Sequence, residues 1–155
     1  MDIDGLKELV GQSCDCIGGI AAVYLFGSRA KGRPNPRDYD FAVLFDETLV
    51  GDRCEQDLIV DGIQSALARA LGKVDVVRMN DTDLVLTQQV MRYKVLVYCR
   101  SRAYKAEWET QARYRIWDME PIHNRYRDAV FRRIEEVARE IDRPKSGGEV
   151  ASRAE

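Results

Sequence analysis

Asp38 and Asp40 stand two residues apart, just ahead of the apolar run Phe41 to Phe45. On an extended strand such side chains share a face about 7 Å apart. Two carboxylates so placed repel each other unless a cation lies between or before them. The mouth of a strand that enters the core suits Mg²⁺, which takes oxygen ligands and keeps several waters. Asp75 is a third acid, set in the otherwise apolar Val74-Asp75-Val76-Val77. A buried, unpaired charge is costly, so Asp75 needs a cation, a hydrogen-bond network or an exposed place on an edge strand. If its strand neighbours that of Asp38 and Asp40, the strand spacing of about 4.8 Å brings it to the same metal site. Two metals bridged by carboxylates are a standard arrangement for in-line phosphoryl transfer.

Gly27-Ser28 follows the apolar run Ile20 to Phe26 and precedes a basic stretch with Arg29 and Lys31. A turn of helix opening there would offer free N–H groups to phosphate oxygens. Glycine permits close approach of the backbone, and the Ser28 hydroxyl can donate a further bond. A Gly-Ser pair alone is equally a turn. The ordered combination of strand, Gly-Ser, basic loop, Asp-x-Asp strand, helix and a strand with Asp is much more specific.

Other chemistries lack their residues. The chain of 155 residues has one histidine, His123, and its four cysteines (Cys14, Cys16, Cys54, Cys99) form no CxxC pair. A His-Cys zinc cluster or an HExxH site cannot be built within one chain. The cysteines read as small apolar residues or free thiols. With 24 Lys and Arg against 26 Asp and Glu, net charge −2, the chain does not resemble a basic nucleic-acid coat protein. No apolar stretch approaches membrane-spanning length, and the opening Met1-Asp2-Ile3-Asp4 is acidic rather than signal-like, so a cytoplasmic protein is expected.

The elements that must position the acids follow from periodicity. Residues 2–16 predict a helix with Leu6, Leu9 and Val10 on one stripe, broken by Gly18-Gly19. Ile20 to Phe26 predicts a strand buried on both faces. Pro34 and Pro36 exclude helix or central strand from the loop before Asp38. Residues 38–45 predict a second strand, 52–71 a helix ended by Gly72, 74–79 a third strand, 82–93 a helix, and 94–98 a fourth strand. Residues 103–142 carry charges and helical stripes, with Val130, Ile134, Val137 and Ile141 on one face. Pro121 is expected to divide this region into two helices, and 143–155 reads as a frayed tail. The expected organisation is a core over 1–100, a helical extension over 101–142 packed on or beside it, and the tail.

Taken together, Gly27-Ser28 followed by Asp38-x-Asp40 resembles the signature of polymerase-beta-like nucleotidyltransferases, and Gly27-Ser28-Arg29-Ala30-Lys31-Gly32 is typical of the minimal MNT subfamily. The resemblance covers roughly residues 5–100, and the extension is similar to that of MntA-type antitoxins. It implies an α+β fold with a small mixed sheet flanked by helices and a C-terminal helical extension. It implies that Asp38 and Asp40 bind two Mg²⁺ ions, that Asp75 completes the triad as metal ligand and possible base, and that Gly27 and Ser28 hold the triphosphate with Arg29 and Lys31 beside them. It further implies transfer of AMP from ATP to a tyrosine of a HEPN-type RNase toxin. In the family ten residues usually separate Gly-Ser from the first Asp; here there are nine, Arg29 to Arg37. Surface loops absorb such changes.

Two alternatives accompany this expectation: an antitoxin that acts by binding alone, and an enzyme modifying a small-molecule hydroxyl of the aminoglycoside kind. The Arg-rich second half counts against the latter. The toxin half of such a pair would carry Arg-x4–6-His, but Ile116, Trp117 and Asp118 fill the required positions before His123. Arg113, Tyr114, Arg115, Trp117, Arg125, Tyr126 and Arg127 interleave cations and aromatics, a mixture that suits a partner-facing patch. Neighbouring acids dilute its field, so direct nucleic-acid contact is not expected.

Overall fold

A computed structural model describes residues 2–34, 36 and 38–141, apart from the side chain of Glu140. The expected tail over 143–155, and Arg37, lie outside the described residues. Helix α1 (Ile3–Cys14) begins at Asp2, whose carboxylate accepts from the Gly5 amide at 2.9 Å, satisfying one of the free amides of the first turn. Strand β1 (Ile20–Phe26) is buried along its whole length, as its unbroken apolar run requires. A single turn, α2 (Gly27–Ala30), leads into the proline-bearing loop and then β2 (Tyr39–Phe45). Helix α3 (Arg53–Leu71) is capped by Asp52 and stopped at Gly72, whose φ of 84° lies in the left-handed region that glycine tolerates. Then follow β3 (Val74–Arg78), α4 (Leu84–Tyr93, capped by Asp83) and β4 (Val95–Cys99).

The sheet order is β3-β2-β1-β4. β1 pairs antiparallel with β2 and β4, while β2 and β3 are parallel, joined by the α3 crossover. This is the small mixed sheet flanked by helices that the sequence predicts. Side-chain alternation along the strands divides the core in two. Val23 and Leu25 of β1 with Phe41, Val43 and Phe45 of β2 pack with residues of α1 and α3. Tyr24, Phe26, Ala42 and Leu44 project to the other side, against Val90 of α4 and against Trp108 and Ala112 further on.

Trp108 and Ala112 belong to α5, a helix of 40 residues, Arg102–Ile141. Pro121 lies inside it, so the expected division into two helices does not occur. Proline removes one amide and crowds the carbonyl four residues earlier, at a cost of about 3 kcal/mol. Trp117 and Pro121 are both exposed, so water can serve the carbonyl left without a donor. Helix-favouring Met, Glu, Arg and Ala on either side supply the propensity that carries the helix through.

The chain forms two compact units, residues 1–116 and 117–155. The first holds the sheet, both core clusters and the start of α5. In the second, the described residues are helical, and among them Ile122, Tyr126 and Ile134 are 57%, 70% and 57% exposed and Ile141 80%.

Candidate active site

The alternation that sorts the core also sorts the acids. In β2, Phe41, Val43 and Phe45 face α1 and α3, so Ala42, Leu44 and Asp40 face the other way. Asp38, two residues earlier, has the same parity. In β3, Val74 and Val76 face α1 and α3, which turns Asp75 to the face of Asp40. Pairing of β2 with β3 sets Asp40 directly beside Asp75. All three acids of the sequence motif thus come to one face at one end of the sheet. β3 is an edge strand and Asp75 is exposed, which is how its charge is tolerated.

Gly27 closes the site from β1. Phe26 pairs with Asp40 in the antiparallel ladder, and Gly27 follows at φ 74°, a left-handed conformation. A Cβ on Gly27 would collide with Oδ2 and Cγ of Asp40. The glycine is therefore required by the adjacent carboxylate as well as by its own backbone. Sequence reasoning assigned it only to the phosphates.

The electrostatics are those of crowded acids. Burial raises the Asp40 carboxyl above its usual value, and the charges of Asp75 and Asp38 push it further, with Lys73 opposing them. Lys73 Nζ pairs with Asp38 Oδ2 at 2.7 Å. The hydrogen bond to Asp38 and that residue's charge raise the Lys73 ammonium above its ordinary value; desolvation opposes them, and Asp40 and Asp75 add to the rise. The sequence reading missed Lys73. Its signal was parity, since it lies two residues before Asp75 and shares its face. Among the described residues no three His, Cys, Asp or Glu side chains are already gathered tightly enough to hold a metal ion. The donor set nevertheless fits Mg²⁺: every candidate ligand is a hard carboxylate oxygen, and the mutual repulsion felt by Asp40 is what a divalent cation would relieve.

The two basic residues of the motif are differently placed. Arg29 Nε donates to the Asp38 carbonyl and Nη2 to the Pro36 carbonyl, each at 3.1 Å. Its guanidinium carbon lies 3.6 Å from the centre of the Tyr39 ring. Lys31 Nζ lies 4.6 Å from the centre of the Tyr93 ring at the end of α4. Ser28 sits in the first turn of α2, half-buried.

A second polar cluster lies in the core. Glu109 of α5, only 6% exposed, accepts from the Tyr24 hydroxyl at 2.9 Å and pairs with Lys94 at 2.6 Å, Lys105 at 3.3 Å and Arg113 at 3.2 Å. Burial alone would raise its carboxyl; the bonds from Lys94 and Tyr24 and the charges of Lys94 and Lys105 outweigh that and hold it below its usual value. Lys94 moves down too, because its burial outweighs the attraction of Glu109, and Lys105 and Arg113 repel it. The two shifts favour opposite charge states of the pair. The carboxylate decides the matter, since three cations and a hydroxyl converge on it and keep it ionised. A separate cleft of about 710 Å³, lined by Glu47, Asn80, Tyr104, Trp108, Tyr114 and others, contains none of the motif residues.

The fold agrees with what the chain is similar to. The family described as Polymerase beta, Nucleotidyltransferase matches residues 14–103. That span is more than half of the chain, and the chain belongs to that nucleotidyltransferase family. Several solved structures of similar fold are toxin–antitoxin complexes. A chain of the MntA–HpeT toxin–antitoxin complex, in a doubly substituted form, superposes with a TM-score of 0.60 at 22% identity, covering 87% of this chain and 99% of that one. A toxin–antitoxin complex with AMP-PNP gives 0.58 at 23% identity, covering 85% and 98%. The complex of tri-AMPylated Shewanella oneidensis HEPN toxin with MNT antitoxin gives 0.58 at 21% identity, covering 86% and 99%. No curated protein sequence matches the chain. Among the described residues no helix is long and apolar enough to cross a membrane.

Proposed function

We propose that the chain is a Mg²⁺-dependent nucleotidyltransferase that moves AMP from ATP to a tyrosine hydroxyl of a partner HEPN RNase toxin and so acts as the antitoxin. The observation that carries this reading is the gathering of Asp38, Asp40 and Asp75 on one face beside the Gly27-Ser28 turn. The toxin partner is supported by the solved complexes of similar fold, one of which holds an AMPylated HEPN toxin and another an ATP analogue.

Asp38, Asp40 and Asp75 would hold the metal, with Lys73 giving up its bond to Asp38 as the cation enters. Bound there, Mg²⁺ supplies positive charge to the attacking and leaving oxygens of the phosphoryl group. The backbone of Gly27-Ser28 and the Ser28 hydroxyl hold the triphosphate, and Lys31 adds positive charge at the same loop. The acceptor hydroxyl oxygen forms a bond to the α-phosphorus while the bond from that phosphorus to the α–β bridging oxygen breaks. The hydroxyl proton passes to Asp75, which is exposed and open to an incoming acceptor. Pyrophosphate leaves with the bonding electrons, and AMP remains on the acceptor.

The test is transfer of labelled AMP to the partner toxin. Wild-type chain with ATP and Mg²⁺ is expected to label it on tyrosine, and the Asp38→Ala/Asp40→Ala double variant to lose labelling while keeping its fold. Equal labelling by both would sink the catalytic reading. Neutralisation of the toxin by the double variant would replace it with action through binding alone.

A further inference from the structure

The motif arginine faces away from the carboxylates. Tyr39 has the parity of Phe41 and belongs to the α1/α3 side of the sheet, stacked on Phe41 with ring centres 6.2 Å apart and planes within 5°. Arg29 lies on the Tyr39 ring, on the side opposite Asp38 and Asp40. Two of its donors are spent on main-chain carbonyls of the returning loop, those of Pro36 and Asp38. Those carbonyls precede β2, and the neighbouring Pro34 and Pro36 carry no amide. A planar fork that bonds two carbonyls while stacking on a ring is a guanidinium's work, and an ammonium cannot reproduce it.

We propose that Arg29 is a positioning residue: it fixes the backbone at Pro36 and Asp38, and with it the direction in which the Asp38 carboxylate is presented. This assignment replaces the triphosphate contact expected for Arg29 and rests on the nucleotidyltransferase reading for its metal, though not for its geometry. Asp38 precedes β2, so its main chain lacks the full ladder that holds Asp40 between β1 and β3. Arg29 supplies the restraint that the sheet does not.

The experiment compares full-length wild type with Arg29→Lys, Arg29→Gln and Tyr39→Leu. Hydrogen exchange of the Asp38 to Asp40 amides is measured in each. Mn²⁺ affinity is measured by spin resonance without nucleotide, and the kcat and KM for ATP in AMP transfer. Faster exchange is expected in all three, with Mn²⁺ affinity and kcat down about tenfold or more and KM for ATP within about twofold. Arg29→Lys should be no better than Arg29→Gln. Tyr39→Leu removes the ring without touching any charge, and it should follow the same pattern. A raised KM for ATP with exchange and Mn²⁺ affinity unchanged, or rescue by Arg29→Lys, would overturn the assignment and return Arg29 to the phosphates. If the wild type transfers no AMP, the nucleotidyltransferase reading fails alone, because the exchange measurement still decides the role of Arg29.

Discussion

At Gly27 two constraints coincide, a left-handed φ and the carboxylate of Asp40 where a Cβ would lie. Alanine there must adopt a conformation costing about 1–2 kcal/mol and displace Asp40 as well. Gly27→Ala is therefore expected to lower AMP transfer at least about 100-fold, the usual consequence of an ångström-scale shift of a catalytic group. Its melting temperature should fall only by the backbone cost, and steady-state kinetics beside thermal unfolding checks both. Lys73 makes a different prediction. Its ammonium competes with any cation for Asp38, so Lys73→Gln should tighten Mn²⁺ binding to the nucleotide-free chain in a direct titration. Looser binding would mean that the lysine organises the site rather than occupying it.

At the scale of elements, the Glu109 cluster ties β1, the end of α4 and the start of α5 through one carboxylate. Glu109→Gln keeps a carbonyl acceptor for the Tyr24 hydroxyl but removes the negative charge that Lys94, Lys105 and Arg113 share. It should cost about 3 kcal/mol in denaturant unfolding. The pH dependence has a definite sign. The Glu109 carboxyl is held below its ordinary value in the folded chain. Its stabilisation is thus complete above the unfolded-state value and is lost as pH falls through the lower, folded one. The wild type should lose stability on acidification through that window, and the Glu109→Gln variant should show a flatter acid limb. Pro121 is the other element-scale feature: Pro121→Ala restores an amide inside α5 and should make the helical signal more resistant to heating, read by circular dichroism.

For the whole molecule, residues 1–116 contain the sheet, both core clusters and every residue assigned to the site. A chain ending at Ile116 is expected to fold and to bind AMP-PNP with the affinity of the full chain, measured by calorimetry. The described part of the second unit exposes Trp117 and Tyr126, at 69% and 70%, both among the residues that the sequence marks as partner-facing. Loss of nucleotide affinity in the shortened chain would show that the site depends on more than the first unit.

Much of the architecture is written in local pattern. The β1 run of seven apolar residues, the stop at Gly72 and the 53–71 stripe are short-range signals, and the structure reproduces them within one or two residues. The shared face of Asp38 and Asp40 was legible for the same reason, because residue type and two-residue spacing decide which face a strand side chain takes. What depends on strand order or on contacts distant in sequence was not legible. That Gly27 serves Asp40, that Lys73 holds Asp38, and that Glu109 is buried against Tyr24 and Lys94 arise from pairings of residues 13 to 85 positions apart. Pro121 misled because a proline's local cost was weighed without the long helical propensity around it. The sequence by itself determined most of the elements, the family resemblance and the shared face of Asp38 and Asp40, whereas Asp75 joins them only because β3 pairs with β2. Only the tertiary structure decided which cations face those acids and which charges are buried, since burial and Coulomb interaction depend on distance through space rather than along the chain.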